Sequence, residues 1–214
     1  MLNVHEIYQS VQGESTLVGT PCTFVRLAGC PLRCGYCDTL QAIPFDSGQA
    51  MSIADIVRQV RAFNHPLVLV TGGEPLAQKN CVNLLAALCE AVPMVQLETS
   101  GAMDVSAVPA GVRQVLDVKT PGSGEEKRNR WENLNYLQPH DEIKFVLMGR
   151  EDYEWSREVI RERLQHAKQT ILFSPCWGYL DPSDLCAWIL EDRLPVRLQV
   201  QMHKVIWGAE KSGV

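Results

Sequence analysis

The chain has 214 residues, 46% of them hydrophobic and 21% charged, with 15 Gly, 12 Pro and 8 Cys. At about 100–200 residues per domain this is one domain with enough apolar material for a real core, which excludes disordered, collagen-like and low-complexity chains. A net charge of −5, from 20 basic and 25 acidic residues, gives no global field that favours nucleic acid or an anionic membrane.

The opening MLNVHEIYQSVQGES carries no basic segment followed by an apolar stretch, so it does not read as a secretory leader. No window approaches the ~18–20 uninterrupted apolar residues of a membrane span. The expected setting is the reducing cytoplasm, where clustered cysteines serve metal or redox chemistry more often than disulfides. Residues 4–8 and 23–28 read as strands flanking a Gly-containing turn. Ser52-Ile-Ala-Asp55 opens a helix with an N-cap and an acidic third position. Ile53, Ile56, Val57 and Val60 then fall on one helical face. His65-Pro66 stops that pattern and residues 67–70 read as a buried strand, followed by a helix over 81–91. Residues 94–97, 112–118, 143–148, 170–173 and 196–201 are further strands, with helices over 153–167 and 183–192 between the last three. Residues 121–140 are polar and Gly/Asn-rich and read as a mobile loop.

Strands alternating with helices predict βα units and a mostly parallel sheet, with 1–214 as a single domain. In such sheets function collects at the carboxyl ends of strands. Thr71-Gly72-Gly73-Glu74-Pro75, Glu98-Thr99-Ser100-Gly101, Asp117-Val118-Lys119-Thr120 and Ser174-Pro175-Cys176 sit there.

Cys30-Pro-Leu-Arg-Cys34-Gly-Tyr-Cys37 is C-x3-C-x2-C in a Gly/Pro loop after a strand. Neither helical nor strand periodicity aligns all three thiols, so they converge only from a loop. A closed zinc site takes four ligands, usually as two separated pairs, and no second pair is present. A four-iron cluster normally takes four cysteines, so three would leave one iron open for chemistry. A zinc knuckle borrowing a histidine, or three unlinked buried thiols, remain the plain alternatives. Cys22, Cys81, Cys89, Cys176 and Cys186 match no cluster position, and Cys81 and Cys89 read as small buried hydrophobes.

The C-x3-C-x2-C triplet, with Tyr36 before its last cysteine and Thr71-Gly-Gly-Glu-Pro75 at a strand end, resembles the radical S-adenosylmethionine (SAM) superfamily. Tyr8-Gln-Ser-Val-Gln-Gly-Glu14, Phe24-Val-Arg-Leu-Ala-Gly-Cys30, Cys37-Asp-Thr39, Glu98-Thr-Ser-Gly101 and Gln201-Met-His-Lys204 narrow the resemblance to its 7-carboxy-7-deazaguanine synthase family, over nearly the whole chain. The resemblance implies an α/β fold, an abbreviated open (β/α) partial TIM barrel of radical SAM type, in a homodimer. The implied activity is conversion of 6-carboxy-5,6,7,8-tetrahydropterin to 7-carboxy-7-deazaguanine with loss of ammonia, in queuosine biosynthesis. The implied cofactors are one [4Fe-4S] cluster, SAM and Mg²⁺, with a flavodoxin or ferredoxin as electron donor and no direct contact with nucleic acid or membrane.

Carried onto matching positions, the resemblance makes Cys30, Cys34 and Cys37 the cluster ligands and Thr39 a Mg²⁺ ligand. Tyr36, Cys37, Asp38, Gly73, Glu74, Asp117, Val118, Lys119, Ser174, Pro175, Cys176 and Trp177 would surround SAM. Val11, Gln12, Gly13, Glu14, Arg26, Thr71 and His203 would surround the substrate. The chemistry suits these roles: Gln12 and Glu14 offer donors and acceptors to a pterin edge, and Arg26 a bidentate donor to a carboxylate. The glycine pair would let backbone approach the methionyl end of SAM, and Glu74 would accept from its ammonium. Without the resemblance, Arg26 reads as an outward charge paired to a neighbour, Lys119 as a solvated strand-end lysine, and His203 as a satisfied edge histidine. Two departures stand out: Ser15 occupies a position where the family commonly has glycine, so the backbone is expected to differ there, and residues 208–214 continue past the His-Lys element. Another compact radical SAM protein acting on a polypeptide, and a non-enzymatic iron–sulfur or zinc module, are the competing functions.

Overall fold

In a computed structural model, which describes residues 1–211 and 213, nine strands form one sheet. They are β1 (Leu2–Val11), β2 (Pro21–Leu27), β3 (Gln49–Met51), β4 (Leu67–Gly72), β5 (Met94–Thr99), β6 (Val112–Val118), β7 (Glu142–Leu147), β8 (Thr170–Pro175) and β9 (Arg197–Leu198). Their order is β3-β1-β2-β4-β5-β6-β7-β8-β9. From β2 to β9 every pairing is parallel, while β1 runs antiparallel to both β2 and β3. The sheet is open, because β3 and β9 are each paired on one side only.

Helices α1 (Ile53–Phe63) and α2 (Cys81–Ala91) complete the first two parallel crossovers. Ser52 accepts from the Asp55 amide at the start of α1, and Ile56 and Val60 are its buried stripe. Helices α3 (Arg150–Val159) and α4 (Pro182–Asp192) complete the last two, and a short α5 (Met202–Trp207) follows β9. The crossovers from β5 to β6 and from β6 to β7 carry no α-helix. The barrel is therefore reduced in its helical layer as well as left unclosed.

Strand alternation divides the sheet into two faces. Val25, Leu27, Val68, Val70, Val95 and Leu97 face α1 and α2 in one apolar cluster. Leu116, Val118, Ile143, Phe145, Ile171 and Phe173 face α3 and α4 in another. The opposite face is polar towards the strand ends, with Arg26, Thr71, Glu98, Asp117 and Lys144 lining a cavity there. A small apolar floor of Cys22, Phe24, Leu67 and Leu69 lies below them.

The loop between β1 and β2 shows how strongly the sheet curls. Thr16 bonds the Glu142 carboxylate on β7 through both its amide and its hydroxyl. Ser15 donates from its amide to Gln199 Oε1 at 2.8 Å, and its hydroxyl accepts from Gln96 on β5. Between β1 and β9, beside which Gln199 lies, are seven strand spacings, roughly 34 Å if the sheet were flat. The four peptide steps from Val11 to Ser15 reach at most about 14 Å, and the Gln199 side chain with its hydrogen bond adds only a few Å. Curling brings the far strands back, and the loop then closes the lower end of the concave face.

Several expectations are corrected. Residues 121–140 are not a loose loop: they form 3-10 turns at Pro121–Ser123, Glu126–Arg128 and Trp131–Tyr136. Fully buried Asn133 donates to the Gly101 and Met103 carbonyls, and Asn129 bonds both backbone groups of Lys119. The strand expected over 196–201 is only Arg197–Leu198, because Gln199 and Gln201 turn their amides inward to Glu14. The helix expected over 153–167 starts earlier, at Arg150, and passes into a π-turn at Ile160–Leu164. Ser15 keeps a left-handed backbone, φ 67°, the conformation that suits glycine. Its hydroxyl, bonded to both Gln96 and the Leu17 amide, compensates. Among the described residues no helix is long and apolar enough to cross a membrane.

Candidate active site

A cavity of about 510 Å³ opens at the carboxyl ends of the parallel strands. Cys30, Cys34 and Cys37 line one side of it as free thiols, all half-buried. Among the described residues no three His, Cys, Asp or Glu side chains lie close enough to share one ion. Three free thiols on one cavity wall, beside the buried cation Lys119, are a donor set of the kind that iron–sulfur clusters use. Burial raises the Cys30 thiol and pushes Cys34 up to about 11, with Lys119 opposing in both cases. Metal loading therefore has to displace protons from these thiols.

The glycine pair after β4 holds the cysteine loop. The Gly73 amide donates to Leu27 O and the Glu74 amide to Gly29 O. A Cβ on Gly73 would stand 2.5 Å from Gly29 O and 2.8 Å from Cys30 Cβ. The close approach is thus to the chain that carries the first cysteine. Glu74 does not reach the cavity: fully buried, its carboxylate accepts from Leu76 N, Thr99 Oγ1 and Ser100 N, clamping the ends of β4 and β5 together. That engagement corrects the expectation of a free acceptor for a ligand ammonium.

Alternation sorts the next group. Asp117 and Lys119 line the cavity, while Val118 between them points into the outer core. In the same way Ser174, Cys176 and Trp177 line it and Pro175 does not. The Lys119 ammonium lies 3.1 Å from Asp117 and 5.9 Å from the Tyr36 ring centroid. Burial works against its charge, but Asp117 and Tyr36 keep it above its ordinary value. Asp117 Oδ1 and the Tyr36 hydroxyl are buried with no hydrogen-bond partner among the described residues. Such atoms are costly unless a ligand completes them. Asp38 and Thr39 close this end, with Thr39 Oγ1 donating to Asp38 Oδ1 at 3.1 Å. Despite desolvation, Lys204 holds Asp38 down at about 2, through an ion pair of 2.7 Å.

The other end is built by Val11, Gln12, Gly13, Glu14, Arg26, Thr71 and His203, all on the cavity wall. Arg26 donates from Nε to Glu6 at 2.8 Å and from Nη2 to Tyr8 at 3.1 Å, and Nη1 has no partner among the described residues. Arg26 thus points into the cavity, oriented by two partners, and is not the outward charge of the plain alternative. Gln12, 2% exposed, bridges Gln96 and Glu98 and accepts from the Glu14 amide. Glu14 accepts from Lys144 at 3.0 Å and Gln201 at 2.8 Å. Its burial is outweighed mainly by Lys144, so it stays below its ordinary value. Thr71 donates to Glu98 Oε2 at 3.3 Å. Burial raises the Glu98 carboxyl against the pull of Lys144, with Glu14 adding repulsion. His203 packs against Gly13, where a Cβ would meet its Nδ1 at 2.1 Å, and burial lowers it towards the neutral form despite Glu14.

A scan against family models matches residues 25–166 to the radical SAM superfamily. The 7-carboxy-7-deazaguanine synthase of Chlorobaculum tepidum is 44% identical over 100% of this chain and 97% of its own. The chain belongs to the 7-carboxy-7-deazaguanine synthase family of radical SAM enzymes. The Koribacter versatilis member is 42% identical over the full length of both chains. Among solved structures, QueE from Escherichia coli matches with TM-score 0.78 over 94% of each chain at 24% identity. Streptococcus suis SuiB bound to its precursor peptide SuiA matches with TM-score 0.61 over 80% of this chain and 46% of that one, at 18% identity. Those two structures attest the fold.

Glu98 and Lys144 also face the cavity, beyond the residues that the sequence motifs assign to it. The sequence carries a signal for both. Strands buried on both faces read as continuous apolar runs, yet Gln96-Leu-Glu98 and Glu142-Ile-Lys144 place polar groups at alternate positions.

Proposed function

We propose that this chain, acting as one domain, converts 6-carboxy-5,6,7,8-tetrahydropterin to 7-carboxy-7-deazaguanine with loss of ammonia. The observation that carries the reading is one cavity with the cysteine triplet on one side and a small, largely polar recognition set on the other. Bound to Cys30, Cys34 and Cys37, a [4Fe-4S] cluster would supply the electron that splits SAM into methionine and the 5′-deoxyadenosyl radical, which takes hydrogen from the pterin carbon bearing nitrogen. Asp117 and Lys119 would meet the hydroxyl and carboxylate groups of SAM, with Tyr36, Asp38, Gly73, Ser174, Cys176 and Trp177 forming the rest of its wall. Nη1 of Arg26 would take the pterin carboxylate, a charge-assisted contact of high geometric specificity. Gln12 and Glu14 would read the amide and amine edge, and neutral His203 and Thr71 would complete the enclosure.

Thr39 is one hydroxyl, weak for a hard octahedral cation, so Mg²⁺ would draw its remaining ligands from substrate and water. A homodimer and a flavodoxin- or ferredoxin-type reductant belong to the same reading. Nucleic acid would enter only downstream of the product, in line with the −5 net charge. The polar recognition set argues against a polypeptide substrate, and a metal knuckle needs far less chain. The test is anaerobic reconstitution followed by turnover with SAM, dithionite and the pterin, read by mass spectrometry. Ring-contracted product supports the assignment; SAM cleavage with the pterin returned intact assigns another radical SAM reaction.

A further inference from the structure

Lys144 sits on the inner face of β7 between the two halves of the cavity, with its side chain 9% exposed. Its ammonium is 3.0 Å from Glu14 Oε2 and 3.7 Å from Asp117 Oδ2. The two carboxylates differ in what else they hold. Asp117 keeps a second cation, Lys119, at 3.1 Å. Glu14's other hydrogen-bond partners are the neutral amides of Gln199 and Gln201. Removing Lys144 would therefore strip Glu14 of its paired cation while leaving Asp117 paired.

We propose that Lys144 is the positioning residue that keeps Glu14 an ionised, fixed acceptor for the pterin edge, so that pterin affinity depends on Lys144 even though the recognising atom is Glu14's. This rests on the substrate assignment above. The groups facing Lys144 are Glu14 from the loop after β1, Glu98 from β5, Asp117 from β6 and Lys119 just after it, Tyr36 from the cysteine loop and His203 from α5. Without the ammonium, burial and the Glu98 carboxylate both favour protonation of Glu14, and a protonated acid no longer accepts from both oxygens. Burial already raises Glu14, and Lys144 is the main opposing influence.

The experiment measures binding of oxidised, non-reacting 6-carboxypterin by fluorescence quenching in the SAM-loaded holoenzyme, from pH 6 to 9. Lys144→Met is expected to weaken binding, with a penalty growing towards ~tenfold per pH unit below the new Glu14 pKa. Lys144→Arg keeps the charge and is expected to keep the wild-type profile. In a Glu14→Gln, Glu98→Gln background, which also removes the second buried carboxyl that Lys144 holds down, the Lys144→Met change is expected to add no pH dependence. Iron content and SAM affinity stay at wild-type values in all three, because Asp117 keeps Lys119. If Lys144→Met and wild type share one affinity and one pH profile, the positioning role is refuted and the substrate assignment stands. If wild type itself does not bind the carboxypterin, the substrate assignment fails. Should Lys144→Met not fold, a pH dependence in Lys144→Arg as steep as that expected for Lys144→Met would overturn the proposal.

Discussion

Substituting Gly73 by alanine tests how the strand end after β4 holds the cysteine loop. The added Cβ would stand 2.5 Å from Gly29 O, 2.7 Å from Gly29 C and 2.8 Å from Cys30 Cβ, where 3.4 Å begins ordinary contact. Relief of the shortest contact needs a shift of roughly 0.9 Å, the difference between 3.4 and 2.5 Å. Two of the three atoms are backbone, and that backbone is tied to β4 by the Glu74 amide at 2.8 Å. Overpacking of this kind costs about 1–3 kcal/mol, or a fall in Tm of about 2–12 °C at this chain length. The displaced residue carries the first thiol, so iron and sulfide per chain after anaerobic reconstitution should fall more than folded content does. Gly35→Ala is the control: it lies in the same loop, but its Cβ would have its nearest neighbour at 3.9 Å. It should keep full iron content. Wild-type iron and an unchanged Tm in Gly73→Ala would refute the reasoning.

Arg26→Ala removes a charge-assisted contact worth about 1.5–3 kcal/mol, so pterin affinity should fall roughly 10- to 150-fold while cluster absorbance is kept; unchanged affinity contradicts the carboxylate role. Calorimetry should find no tight Mg²⁺ site in the SAM-loaded protein without pterin, and stoichiometric tight binding there would remove Thr39 from its proposed role. Lys204→Met should destabilise the apo protein by breaking the 2.7 Å pair to Asp38. Because Lys204 depresses Asp38 to about 2 in the fold, that stability is present above the unfolded carboxyl value near ~3.9 and is lost as pH falls through about 2. The gap in Tm between wild type and variant should therefore be full at pH 6 and shrink towards pH 2; a constant gap would show that the ion pair is not its source.

How much of this was legible in the sequence depended on periodicity and on range. The capped start of α1 and the bounds of α2 and β6 follow from local patterns and appear in the structure as read. The cysteine triplet and the strand-end motifs fall on one cavity because parallel βα order places them at one end of the sheet. Not every residue of a strand-end motif faces the cavity. Val118 and Pro175 are turned outward by the pleat, and Glu74 is consumed by the Thr99 and Ser100 groups of the next strand. Residues 121–140 look loose in composition because their order comes from a few long-range bonds, such as Asn133 to Gly101 and Met103. Ser15 holds a glycine-like φ because Gln96, 81 residues away, bonds its hydroxyl. Lys144 owes its meaning to Glu14, 130 residues distant. No window along the chain contains those pairs.

The account's central claim is that the cluster side and the polar side of one cavity act on the same molecule. The most direct measurement uses 6-carboxytetrahydropterin deuterated at the ring carbon beside nitrogen, turned over anaerobically with SAM and reductant, with mass spectrometry of 5′-deoxyadenosine and of the SAM that the proposed reaction re-forms at the end of each turnover. The account predicts deuterium at their 5′ carbon together with ring-contracted product. Cleaved SAM free of deuterium, with the labelled pterin intact, would contradict it.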